Sequence, residues 1–211
     1  MGLQDLNIHK IVQAVSYLQE RCDCTNYMKL VKMLFFADRH IFRHHGILLT
    51  NDHYVALKDG PVCSSTLNIF TKNEDWFYNS LSSEEKEYLN DRIKYISEYD
   101  RSVKEVDDSW LSIADKNALD FAIENFGKFD QFQLRDIAHD YPEWKRYEDY
   151  FKRKLTKKED IIMTDFFDDP DIGKSEYIKK YLNSKDPYED DLEFLQDMKE
   201  EFAQFNSTSL L

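Results

Sequence analysis

The 211-residue chain carries 28 Lys and Arg against 41 Asp and Glu, a net charge of −13, which excludes nucleic-acid binding by general phosphate neutralisation and adhesion to an anionic membrane surface. Apolar residues make up 42% and aromatics 15%, including 15 Phe and 13 Tyr, a composition that builds a core and does not suit a disordered chain. Five Gly and four Pro leave little room for a turn-rich β-sandwich or a glycine-rich phosphate loop.

Asn7 is placed to cap a first helix running to about Glu20, with Ile8, Ile11, Val12, Val15 and Leu18 recurring on one face. Thr25 or Asn26 caps a second helix that runs to about His45 and stops at Gly46, because glycine tolerates the left-handed conformation there. Met33-Leu34-Phe35-Phe36 makes this helix apolar nearly all round, which implies burial on more than one side. Ile47–Leu49 and His53–Leu57 then flank Thr50-Asn51-Asp52 and predict a small β-hairpin, broken by Gly60-Pro61 and followed by a short helix over Ser64–Thr71. Ser83 is a candidate cap for a helix over Glu84–Ser97, and Ser112 to Asp115 has capping-box spacing ahead of a helix ending at Gly127. A short helix over Gln131–His139, another opened by Pro142, and tail helices near Glu176–Leu182 and Leu192–Phe205 complete the reading. The expected fold is mainly α: a compact helical domain with one small β-hairpin, plus an acidic C-terminal helical appendage.

The boundary is expected from charge. Residues 145–158 hold seven basic and two acidic side chains, whereas residues 159–211 hold five basic and fifteen acidic. We therefore expect a domain over 1–158 and an acidic extension over 159–211. Cys22, Cys24 and Cys63 are an odd set with no disulfide framework, which points to a reducing compartment. Residues 1–10 lack the apolar run of a signal peptide, and no stretch approaches the ~20 apolar residues of a membrane span. The expected location is the cytoplasm.

On the second helix, Asp38 falls within the apolar arc with His45 close by. A carboxylate there is costly unless paired. It reads either as an anchor accepting hydrogen bonds from the hairpin or His45, or as an acid–base group with a raised pKa. The opposite arc carries Phe36, Arg39, His40 and Arg43, which reads either as an interaction face or as ordinary solvated charge. His40 and His44 stand four apart and could share a metal, with Cys22, Cys24, Cys63 or His53 as a third ligand. The residues between them include no Glu of a zinc-hydrolase motif. No nucleophile elbow, catalytic cysteine signature or nucleotide-binding loop is present. The expectation is a non-enzyme with no cofactor and no metal.

Lys32-Met33-Leu34-Phe35-Phe36-Ala37-Asp38, then Gly46, then Tyr54-Val55-Ala56-Leu57-Lys58-Asp59-Gly60-Pro61-Val62 resemble the Panacea domain of the SocA-like antitoxin family, which also occurs in phage-associated proteins. Ser112–Gly127, and Leu134–Trp144 with His139 before Pro142-Glu143-Trp144, extend the resemblance to about residues 7–150. The resemblance implies an antitoxin that neutralises a cognate protein toxin by direct binding, assisted electrostatically if that toxin is basic. It marks Asp38, Gly46, Gly60, Pro61, His139 and Trp144 as structural motif positions. Phe36, Arg39, His40, Arg43, Tyr54 and Lys58 are the candidate partner contacts. The alternatives are a phage-associated protein aimed at a host factor and a metal-dependent hydrolase around His40 and His44. A last amphipathic stripe, Leu192, Leu195, Met198, Phe202 and Phe205, either packs on the chain's own core or docks on a partner.

Overall fold

A computed structural model describes residues 6–22, 24, 26–71, 79, 81–97, 107–188 and 191–208. Ten α-helices are found among the described residues, with one small antiparallel sheet. They are α1 (Ile8–Cys22), α2 (Tyr27–His45), α3 (Ser64–Thr71), α4 (Ser83–Ser97), α5 (Ile113–Phe126), α6 (Gln131–His139), α7 (Pro142–Lys145), α8 (Glu148–Lys152), α9 (Glu176–Tyr181) and α10 (Leu192–Thr208). The strands are β1 (Tyr54–Leu57), β2 (Gly60–Cys63) and β3 (Lys158–Asp160), and a 3-10 turn spans Met163–Phe167. The mainly helical expectation and the C-terminal helix both hold.

Local signals set the helix ends. The Asn26 side chain accepts from Lys29 N, and Gly46 closes α2 at φ 65° with its N–H on Phe42 O. Thr25, the other cap expected for α2, lies outside the described residues. Ser112 and Asp115 cap each other at α5, and Asp130 and Gln133 do the same at α6. At α4 the reciprocal cap is Ser82 with Glu85, one residue before the expected Ser83.

Helix α2 is the axis of the fold. It packs against α1, α5, α6, β2, the 3-10 turn and α10, so every side of its central turns is covered. Leu30, Val31, Leu34, Phe35 and Phe36 are fully buried. Phe36 stacks on Phe126 with ring centroids 3.8 Å apart, and Phe35 meets Phe166 edge-on. A smaller cluster of Ile8, Val12, Ile69 and Leu89 ties α1, α3 and α4 together.

The hairpin differs from its expected position. Its two-residue turn is Lys58-Asp59, and Gly60-Pro61 belong to β2 rather than breaking the ribbon. Ile47–Leu49 forms no strand, because Leu49 and Thr50 are used by Asp38. Asp52 accepts from the backbone N–H groups of Ser65 and Thr66 and so caps α3 instead of turning a hairpin. The strand order is β2-β1-β3, and β3 pairs Lys158 with Leu57, Glu159 with Ala56 and Asp160 with Val55.

The boundary expected at 158/159 falls inside β3, and the chain beyond it shares the main core. Phe166 is fully buried against Phe35, Phe42 and Tyr54. The Tyr188 hydroxyl donates to Phe36 O at 2.9 Å, and Asp140 caps α9 through Tyr177 N and Ile178 N. The charge shift marks a change in surface composition; the aromatic residues spaced through the acidic segment complete the core. On α10 the stripe is used unevenly. Leu195 is 3% exposed, whereas Leu192 and Phe205 are 70% and 72% exposed. Phe202 packs on Phe42 and Phe167, so the middle of the helix closes over the body.

Candidate functional site

Three polar knots lie buried around α2. In the first, Asp38 is fully buried and accepts from Leu49 N at 2.5 Å, Thr50 N at 3.2 Å, Thr50 Oγ1 at 2.5 Å and the Tyr54 hydroxyl at 2.6 Å. Burial pushes its carboxyl up to about 6, against the pull of the Thr50, Tyr54 and Leu49 donors. The same surroundings hold the Tyr54 hydroxyl well above its ordinary range, first by burial and then by the charge of Asp38. This carboxylate fixes the chain that leaves α2 to the first residue of β1.

In the second knot, Arg39 pairs with Glu143, both with fully buried side chains. Arg39 also donates to Phe166 O at 3.0 Å and Asp168 O at 2.6 Å, and its guanidinium lies 4.7 Å from the Tyr141 ring centre. Arg43 donates to Phe166 O at 3.1 Å and to Asp169 Oδ1 at 2.7 Å. Burial pushes the Glu143 carboxyl up to about 7, and Arg39 opposes that rise. The expectation that Arg39 and Arg43 project from an outward face is overturned, because both are 0% exposed. The physical reason is the segment 166–169, whose carbonyls and Asp169 accept from both guanidinium groups and cover that side of α2. Phe36 and Tyr54, the buried aromatics among the expected contacts, are enclosed as well, Phe36 by Phe126 and Tyr141 and Tyr54 by Phe35 and Phe166. His40 is half-buried, with its ring stacked on Phe121, and Lys58 is exposed on the hairpin turn.

In the third knot, Lys32 is 1% exposed and donates to Pro61 O at 2.7 Å. Gly60 has φ 101°, and a Cβ there would stand 2.6 Å from Lys32 Nζ, so both backbone and space demand glycine. Pro61 lacks an N–H, and its carbonyl points toward α2. His139 stacks on Trp144 at 3.6 Å, and Trp144 Nε1 donates to Leu57 O at 2.7 Å. Burial lowers Lys32 to about 7 and, with the nearby Lys32 charge, lowers His139 to about 3. Glycine, proline, histidine and tryptophan thus lock the hairpin between α2, α6 and α7.

His44 Nδ1 lies 2.7 Å from His40 O, so the two histidines considered as alternative metal ligands are joined through backbone. Among the described residues, no group of three or more His, Cys, Asp or Glu side chains is placed to hold a metal ion. No described helix is long and apolar enough to cross a membrane. The three cysteines are free thiols, and burial raises Cys63 well above its ordinary range. Sequence reasoning missed Lys32, Asp52, Asp140 and Glu143 as buried polar anchors. Glu143 carried a usable signal, since it lies inside the Pro142-Glu143-Trp144 motif and the buried α2 arginines need a carboxylate.

The sequence model of the family described as antitoxin SocA-like, Panacea domain, matches residues 30–145. The chain belongs to that family. The match begins inside α2 and ends at the last residue of α7, so it takes in all of β1, β2, α5 and α6 and the polar groups of all three knots except those of the 166–169 segment. No curated protein and no solved structure matches the chain.

Proposed function

We propose that this protein is the antitoxin of a toxin–antitoxin pair and neutralises a cognate protein toxin by direct binding. The observation that carries the reading is the family match over residues 30–145, joined to a set of motif residues that build a rigid scaffold. Asp38, Lys32 and Arg39 all spend their polar groups inside the fold. A scaffold of that kind suits a binding protein, whose work is done by the surface it presents. In this reading the antitoxin is not an enzyme, acts in the cytoplasm and needs no cofactor. Arg39, Arg43, Phe36 and Tyr54 serve binding only by shaping the body, while His40 and Lys58 remain contact candidates.

The test is co-expression with the neighbouring reading frame in a host that the neighbour arrests. Growth restored by this chain, together with co-purification of the two proteins, is the expected result. Arrest that continues at equal expression of the two proteins overturns the proposal.

A further inference from the structure

The cations of residues 145–158 are a net +5 in a chain whose total is −13, so the remaining residues sum to −18. Some of the cations are spent locally. Lys145 and Lys152 both reach Glu148, and Arg146 forks onto Asp165. Arg153, Lys154, Lys157 and Lys158 are exposed, and among the described residues none of them makes an ion pair. They sit where α8 runs into β3. Lys154 takes φ 56°, and Leu155 N donates to Tyr150 O at 2.9 Å, so a left-handed turn ends the helix and holds these side chains outward. Lys158 pairs with Leu57, the residue before the exposed Lys58 of the hairpin turn, so the turn and the start of β3 lie at the same end of the sheet. Within this cationic surface, Tyr150 is 48% and Leu155 69% exposed.

Much of the backbone of β3 that faces away from β1 is already engaged within the chain. Thr156 Oγ1 accepts from Lys158 N and donates to Lys158 O, and the Tyr147 hydroxyl donates to Asp160 O at 2.7 Å. With the edge capped in this way, a partner meets side chains: unpaired cations around an aromatic and an aliphatic anchor. Unpaired charges of one sign select the opposite sign at contact. A long polyanion is disfavoured, because duplex phosphates recur about every 1.7 Å and would run from this patch onto the acidic body. A short acidic element with an apolar residue fits both the charge and its limited extent.

We propose that the surface formed by Lys58, Arg153, Lys154 and Lys157 around Tyr150 and Leu155 docks an acidic segment of the partner protein. The inference rests on the antitoxin reading and names the contact within it. The whole-chain charge would set long-range steering, and this patch the local fit.

The test uses the full chain and the double variant Arg153→Glu/Lys157→Glu, with Lys174→Glu as an exposed control outside the patch. A fluorescein-labelled peptide of Glu, Asp and Leu is the probe for anisotropy titration, beside a single-stranded RNA of similar length, and growth rescue is scored in parallel. The expected result is salt-sensitive peptide binding that weakens at least about tenfold in the double variant and is unchanged in the control, with thermal melts alike for all three proteins. Rescue is expected to fail in the double variant only. Equal peptide affinity in the double variant, tighter binding of the RNA than of the peptide, or full rescue by the double variant each overturns the proposal. A double variant that melts early is replaced by Arg153→Gln/Lys157→Gln, read in the same way. If the wild type itself fails to rescue, the antitoxin reading falls, and the peptide titration still decides the patch.

Discussion

Asp38→Ala removes the acceptor of four donors in one fully buried spot: the N–H groups of Leu49 and Thr50 and the hydroxyls of Thr50 and Tyr54. At the lower bound of about 1 kcal/mol for each donor left without a partner, the loss is about 4 kcal/mol. That agrees with the range of about 3–5 kcal/mol for breaking a buried charged network. Against a total stability of about 5–15 kcal/mol this is between about a quarter and four-fifths of the whole, so urea titration followed by tryptophan fluorescence is best run in the cold. Asp38→Asn keeps the shape and one acceptor, and the two hydroxyls can turn to accept from its amide, so it should cost far less. The pH dependence supplies a second check. The folded carboxyl titrates at about 6, above its ordinary value of 3.8, so folding favours the protonated form. The stability linked to Asp38 is therefore full below about pH 4 and is lost as pH rises through about 6, a change of about 3 kcal/mol. Asp38→Asn should lack this slope. A folded Asp38→Ala variant within about 1 kcal/mol of wild type would refute the anchoring role.

Arg39→Met should destabilise by about 3–5 kcal/mol, because Glu143 is left buried and alone, and Arg39→Met/Glu143→Leu should regain much of it; urea melts showing additive losses would contradict this. Lys32 titrates in the fold at about 7, below its ordinary 10.5, so wild type should gain on Lys32→Met by up to about 1.4 kcal/mol for each pH unit above 7. A flat difference between pH 7 and 9 in denaturation titrations would remove Lys32 from the buried position. Deleting residues 187–211 takes away Tyr188, whose hydroxyl holds Phe36 O, and the buried Leu195, so the melting temperature should fall with no partner present. An unchanged melt would show that this end contributes nothing to the body.

Much of the helical frame was legible because its signals are local. Asn26 and Gly46 bound α2, and Ser112 with Asp115 opens α5, through hydrogen bonds within a few residues. The hairpin was misplaced because Thr50-Asn51-Asp52 has the composition of a turn. Its polar groups serve long-range contacts instead: Thr50 holds Asp38, and Asp52 caps α3. Nothing within that tripeptide separates the two uses.

The second helix shows where a helical wheel misleads. A wheel divides a helix into a buried and an exposed arc and assigns arginine to the latter. The run Met33–Phe36 already signalled burial on more than one side, which conflicts with an exposed Phe36-Arg39-Arg43 arc on the same turns. The structure resolves the conflict by burying the arginines along with the aromatics and supplying Glu143, Asp169 and two backbone carbonyls as partners. Three of those four acceptors come from residues 166–169, the part of the chain whose acidity had suggested a separate appendage. Of the carboxylates after residue 158 only Asp169 bonds an α2 arginine, and the other acceptors there are the backbone carbonyls of Phe166 and Asp168, so it is the path of this segment more than its acidity that meets the requirement of a buried guanidinium for acceptors. Arg153 and Lys157 show the contrast: they are exposed cations with no ion pair among the described residues, so the fold has no need of acceptors for them.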